Sequence, residues 1–436
     1  MNRISRQRPR RWPWIAAATV TACLTASYPA YAVIGGTAAS PAAASAPAPR
    51  APLNCGPPRV LPPTLCYRPQ AYEVAYGVEP LISHGIDGKG ETVVMPELAE
   101  TPSSSGLIYT DIRQDLATFD SRFDLPAAKL QVVNSIARSK TPYLAGTEEV
   151  EDTEMVHAIA PGATLDVVLV PHDAIASSAN FISAVTKAVQ EGVALHASVV
   201  SISASDGEHF LTAAEVAQMN TALEQARDQN VTVVASSGDT GAISDQGPPV
   251  QVSMPASDPL VLAVGGTTLD ATRPTGTYRG EMAWNADTDA SGGGYSGLFS
   301  RPAYQDGIAR IGATRGVPDV AANADSSTAM AMVFSGDVLQ PATGTSAATP
   351  LWAGVVALAD QKAGRHLGFV NPAIYAIASG PAYHQAFHDV VTGDNSILWP
   401  TGIFVGYNAG PGWDPVTGWG SPDAQYLVPL LAHTAA

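Results

Sequence analysis

The sequence predicts an α/β protein built on a mainly parallel β-sheet with helices on both faces. Short β-branched runs at residues 92–95, 164–170, 199–203 and 232–236 read as buried strands. Residues 111–123, 148–159, 181–191 and 213–229 instead place apolar side chains at helical spacing, as Phe181, Ala184, Val185, Ala188 and Val189 illustrate. Strand and helix in alternation imply right-handed crossovers, which cover both faces of the sheet. Ligands of such sheets bind beyond the carboxyl ends of the strands, so the loops that follow these strands are where chemistry is expected.

With 436 residues, 46% of them hydrophobic, the chain can bury a core large enough for one catalytic domain, assigned here to residues 64–436. A formal net charge of -16 with only 14% charged residues offers no basic surface for nucleic acid. The acidic surplus fits an ordinary solvated surface and also a protein that works at low pH, where carboxylates lose their charge. Arg3, Arg6, Arg8, Arg10 and Arg11 precede an apolar stretch from Trp12 to Leu24 and then Ala30-Tyr31-Ala32. That layout predicts a secretory signal peptide at residues 1–32, and hence a secreted, extracellular protein. Arg10-Arg11 as a twin-arginine signal and Val20-Thr21-Ala22-Cys23 as a lipoprotein site stay open. No later apolar run reaches the ~18 residues of a membrane span. Residues 33–63, crowded with Ala, Pro and Ser, read as a flexible linker. Cys23 falls inside the leader, which leaves Cys55 and Cys66 to pair in an oxidising compartment.

Three segments could carry chemistry, and each has a plain structural reading beside the functional one. Gly344-Thr345-Ser346-Ala347-Ala348-Thr349-Pro350 precedes an apolar helical stretch, which puts Ser346 at a helix N-terminus. It is there either as a cap or as a nucleophile whose developing charge the helix dipole favours. Glu148 and Asp152 stand four apart on one helix face, either as an exposed acidic first turn or as two carboxyls that share a proton. Ser237-Gly238-Asp239-Thr240-Gly241 follows the strand at 232–236. Asp239 there either caps a turn or stays protonated and donates to an oxyanion. His84 and His157 lack the settings that a Ser-His-Asp triad needs, and the first strand runs into Pro96-Glu97 where a triad would need Asp.

Taken together, the Glu148-x-x-x-Asp152 helix ending in Ala160-Pro161, the Ser237-Gly238-Asp239 turn and the Gly344-Thr345-Ser346 helix resemble the sedolisin family of serine-carboxyl peptidases. The similarity extends to Pro255-Ala256-Ser257, Gly265-Gly266-Thr267, Gly293-Gly294-Tyr295-Ser296 and Pro318-Asp319-Val320-Ala321, and covers nearly all of residues 64–422. It implies a subtilisin-like fold in a single catalytic domain that hydrolyses protein or peptide substrates in acid, through an acyl-enzyme on Ser346. In that scheme Glu148 is the base, Asp152 its partner carboxyl and Asp239 the oxyanion acid. It implies one calcium ion held by Asp389, Val390, Gly410, Gly412 and Asp414, with oxygen ligands and inward-turned carbonyls as such an ion requires. A monomer is expected.

Two departures qualify the resemblance. Family members carry a long N-terminal prodomain, whereas residues 33–63 alone separate the leader from the domain here. Unaided folding, a separately encoded prodomain or inhibitor, and an incomplete chain are the alternatives. Members also often have Trp in the Ser-Ile-Ser-Trp-Gly segment, where this sequence has Ser203-Ala204-Ser205. The competing expectation is a catalytically silent secreted homologue that binds peptides or surface partners.

Overall fold

A computed structural model describes residues 53–55, 64–99, 109–139, 143–286, 288–336 and 338–434. The leader at 1–32 and most of the linker at 33–63 lie outside the described residues. The ordered fold nevertheless reaches back into the linker segment: Leu53–Cys55 pairs antiparallel with Thr64–Cys66, and Cys55 and Cys66 form a disulfide.

Eight strands make the main sheet: β1 (Thr92–Leu98), β2 (Lys129–Val133), β3 (Thr164–Val170), β4 (Val199–Ile202), β5 (Thr232–Ser236), β6 (Leu262–Ala271), β7 (Tyr278–Ala283) and β8 (Val320–Asn323). Their order is β7-β6-β5-β4-β1-β3-β2, with β8 also pairing to β6. Every pairing is parallel except that of β6 with β7. The alternation of side chains shows why both faces are covered. Along β1, Val93 and Met95 enter one core while Val94 enters the other. Along β3, Leu165, Val167 and Leu169 take the first side and Val168 and Val170 the second.

Helices α3 (Ser178–Ala194) and α4 (Ala213–Asp228) cover one face, while α2 (Thr147–Ile159) and α5 (Gly344–Ala363) cover the other. A fifth helix, α1 (Ile112–Phe123), packs beside α2. Capping separates the two kinds of helix. The side chains of Asp111, Ser177 and Thr212 accept from the first turns of α1, α3 and α4, with a complete capping box at Thr212 and Glu215. The N-cap positions of α2 and α5, Gly146 and Thr343, make no such bond. These two uncapped termini lie where the carboxyl ends of β1, β4 and β5 arrive. Among the described residues no helix is long and apolar enough to cross a membrane.

Contact between α2 and α5 holds both termini in place. A Cβ added at Gly354 of α5 would sit 2.7 Å from Ile159 Cγ2, so glycine permits the close approach. Trp352, fully buried two residues before Gly354, anchors α5 to the sheet by donating its indole N–H to the Ala321 carbonyl at 2.8 Å. Gly354→Val overpacks this seam and is expected to destabilise the fold by about 1–3 kcal/mol. Urea unfolding of the variant beside the parent measures the difference.

Candidate active site

Ser346 is the third residue of α5, and its hydroxyl does not cap the helix. The capping is done instead by Asp239, from the turn after β5. Asp239 Oδ1 accepts from Thr345 N–H at 2.8 Å and from the Thr345 hydroxyl at 2.7 Å. Thr345 Oγ1 in turn accepts from Gly238 N–H at 3.2 Å, which ties the turn to the helix from both sides. The second oxygen, Oδ2, lies over Gly344, where a Cβ would come within 2.6 Å of it. Gly344 also has φ +82°, so glycine is required there twice over. Oδ1 is fully engaged as an acceptor, which leaves Oδ2 as the oxygen free to carry a proton and donate it.

The Ser346 hydroxyl is part-exposed and faces the Glu148 carboxylate. It also lies 3.3 Å from the Ser203 carbonyl at the end of β4. Pro350, one turn further along α5, has no N–H, so the Ser346 carbonyl lacks its usual helical donor. Ser203 Oγ fills part of that gap at 3.3 Å and reaches Asp152 Oδ1 at 2.9 Å; its single proton favours the shorter contact. Asp152, buried one helical turn after Glu148, also accepts a hydrogen bond from the Glu97 carboxyl at the end of β1. A chain of Glu97, Asp152, Glu148 and Ser346 side chains therefore crosses the carboxyl edge of the sheet.

Burial dominates the electrostatics of this chain. Desolvation, then the charge of Glu148, pushes the Asp152 carboxyl well above the usual range. Desolvation, then Asp152 and Glu149, does the same to Glu97. Glu148 is pushed up to about 7 by the protein packed around it, with the facing Ser346 hydroxyl pulling the other way. Its side chain still meets solvent in the cleft, so water screens part of that push. Asp239 is raised to about 6 by desolvation and by Asp245, against the opposing hydrogen bonds from Thr345. Carboxyls so held are proton carriers near neutrality, a role that histidine fills elsewhere. Neither histidine weighed from the sequence stands here: His157 is buried against Asp120 and the Pro126 carbonyl, and exposed His84 contacts the Pro80 carbonyl.

The structure thus brings together Ser346, Glu148, Asp152 and Asp239, and it adds residues that the sequence reading left out. Glu97 had been noted only as an obstacle to a histidine triad, although its position at a strand's carboxyl end was the available signal. Glu151 is buried with its Oε2 on Thr343 N–H at 3.1 Å, so the acidic turn of α2 is not the solvated face that the plainer reading expected. Asp389 and Asp414 meet across the loop that holds Gly410 and Gly412. Both Asp389 oxygens accept from Gly412 N–H, at 3.1 and 3.2 Å, and Asp414 Oδ2 accepts from Gly410 N–H at 3.0 Å. Val390 is buried beside them. Among the described residues there is no group of three or more His, Cys, Asp or Glu that could hold a metal. A cation at this loop would draw most of its ligands from backbone carbonyls, a donor set that suits a hard ion and no soft one.

Comparison with known proteins decides the family. Residues 143–372 match the subtilase family. Kumamolisin of Bacillus sp. (strain MN-32) is 36% identical over 368 residues, covering 81% of this chain and 62% of its own. Sedolisin of Pseudomonas sp. (strain 101) is 39% identical over 215 residues, 46% of this chain and 35% of its own. The chain is a subtilase-family protein of the sedolisin type. Human tripeptidyl-peptidase 1 is 33% identical over 261 residues, 54% of this chain and 43% of its own. The chain therefore spans less than two thirds of the length of each of these relatives. In three dimensions it is similar to Pseudomonas sedolisin, described as a serine-carboxyl proteinase in complex with two molecules of pseudo-iodotyrostatin. That match has a TM-score of 0.70 at 27% identity, over 83% of this chain and 96% of the other. The sedolisin-type fold accounts for the parallel sheet and for the convergence of α2 and α5 on its carboxyl edge.

Buried carboxyls make stability depend on pH with a definite sign. Glu97, Glu151, Asp152 and Glu154 all have raised folded-state values, so between the unfolded and folded pKa the native chain holds more protons than the unfolded one. Their contribution is fully present below the ordinary carboxyl range, about pH 4, and is lost as pH rises through the folded values. The melting temperature is expected to fall steadily from about pH 4 towards pH 8. Differential scanning calorimetry in matched ionic strength checks it, and a melting temperature that rises over this interval contradicts it.

Proposed function

We propose that the protein is a serine-carboxyl peptidase that hydrolyses peptide bonds in protein or peptide substrates. The observation that carries the reading is the Ser346 hydroxyl set against the Glu148 carboxylate, within a carboxyl chain that contains no histidine, beside an Asp239 whose second oxygen lies at the same helix terminus. Ser346 Oγ attacks the substrate carbonyl carbon as Glu148 takes its proton. Asp239 Oδ2 donates to the oxyanion that forms, and Asp152 and Glu97 spread the proton gained by Glu148. The C–N bond then breaks, the amine leaves with a proton from Glu148, and water hydrolyses the resulting ester by the reverse sequence of proton transfers.

Two opposed requirements set the working pH. Glu148 must be ionised to act as base, and its ionised fraction falls tenfold per unit below about 7. Asp239 must be protonated to donate, and that fraction falls tenfold per unit above about 6. Their product peaks on the acid side of neutrality, at about pH 6.5, and falls on both sides. Hydrolysis of a denatured protein between pH 3 and pH 9 is expected to trace that bell. Ser346→Ala is expected to lower the rate at least ~10³-fold, with circular dichroism and melting unchanged. Activity retained in that variant would refute the assignment.

A single calcium ion at the Gly410–Gly412 loop completes the reading. Asp389 and Asp414 would supply carboxylate oxygens, and Val390, Gly410 and Gly412 backbone carbonyls. When bound, the ion crosslinks two segments of the C-terminal region and takes no part in proton transfer. Chelation is expected to lower the melting temperature, and calcium to restore it, in the parent but not in Asp389→Ala. The arginine-rich, apolar N-terminal residues support export from the cell.

A further inference from the structure

The turn that carries Asp239 is held by residues with no place in the steps above. Thr240 Oγ1 lies 2.9 Å from Asp245 Oδ1 and 3.0 Å from the Ile243 carbonyl, so its one proton links Asp245 to the turn, and the Asp245 carboxylate faces the backbone N–H of Asp239. From the opposite side, Ala290 N–H donates to the Asp239 carbonyl at 2.7 Å and Gly292 N–H to the Gly238 carbonyl at 2.7 Å. The residue before Ala290 is Asp289, so this second loop presents a carboxyl to the same turn. Asp245 is exposed, so water screens part of the charge it sets against the turn.

We infer that Asp245 is a positioning residue for Asp239: its carboxylate holds the turn through the Thr240 hydroxyl and sets a negative charge beside the Asp239 carboxyl. Asp289 adds to the charge from the other loop. The inference rests on the reading of Asp239 as oxyanion donor. The groups that act on Asp239 are Asp245 and Asp289 from the two loops, with Glu148 and Glu151 facing it from α2, carboxyls in each case. Of these, Asp245 is the one hydrogen-bonded to the residue next to Asp239, through the Thr240 hydroxyl. A negative charge that close makes ionisation of a neighbouring carboxyl costly. An aspartate at the end of a strand would otherwise ionise near pH 4 and cease to donate. One residue thereby serves two ends, fixing where Oδ2 points and extending the pH range over which it carries a proton.

The experiment compares kcat/KM from pH 3 to pH 9 for the full chain and for the variants Asp245→Asn, Thr240→Val and Asp239→Asn, each with its melting temperature. Asparagine keeps the acceptor and removes the charge. The expected result is an optimum displaced to lower pH, with the alkaline flank lowered about threefold or more and the acid flank in place, because only Asp239 titration has moved. Thr240→Val keeps the charge and loosens the clamp, so it is expected to lower the rate severalfold at every pH without displacing the optimum. A profile for Asp245→Asn that superimposes on the parent, while Asp239→Asn is inactive, overturns the role given to Asp245. An Asp239→Asn variant as active as the parent overturns the reading of Asp239 itself, and this inference with it.

Discussion

Carboxyl groups removed from water and set against one another are what the rest of this structure is arranged around. Two neighbouring carboxyls cannot both ionise cheaply in such surroundings, so protons are retained and shared near neutrality, where isolated acids would have lost them. Glu97, Asp152, Glu148 and Asp239 come from β1, α2 and the turn after β5; Glu97 and Asp152 are buried, Asp239 is half-buried and Glu148 meets solvent, and each is raised chiefly by the protein packed around its carboxyl. A histidine is unnecessary where carboxyls occupy its range. The same arrangement couples chemistry to stability, since the protons that make the site competent also keep α2 buried.

The helices divide by the same logic. Those that only cover the sheet close their first turns with their own side chains, while α2 and α5 leave theirs to be completed by other segments or by the reaction. Asp239 caps α5 from a distant turn, so the proposed oxyanion donor and the helix of the proposed nucleophile are positioned by one interaction. Pro350 frees the Ser346 carbonyl and lets Ser203 enter. Among the five helices α1 to α5, these departures from locally optimal design fall on the two that meet at the site.

Much of the fold was legible in the sequence. The runs at 92–95, 164–170, 199–203 and 232–236 became β1, β3, β4 and β5, and the four helical segments stand where the periodicity put them. Buried parallel strands and long amphipathic helices announce themselves because their patterns are local. The edge strand β2, with its alternation half exposed, and the paired strands β6 to β8 escaped, since their character depends on neighbours far along the chain. The reach of the fold back to Leu53 escaped for the same reason: a three-residue strand is defined by its partner and its disulfide.

The sequence by itself determined the order of the acidic helix, the Ser-Gly-Asp turn and the Gly-Thr-Ser helix, and with them the family, because motif order and spacing are properties of the chain alone. Only the tertiary structure decided which carboxyls are buried, that Glu97 meets Asp152, that Asp245 reaches the turn of Asp239 through Thr240, and which oxygen of Asp239 Thr345 engages. Desolvation and like-charge proximity arise where segments 51 to 143 residues apart are packed together, and no local pattern records them.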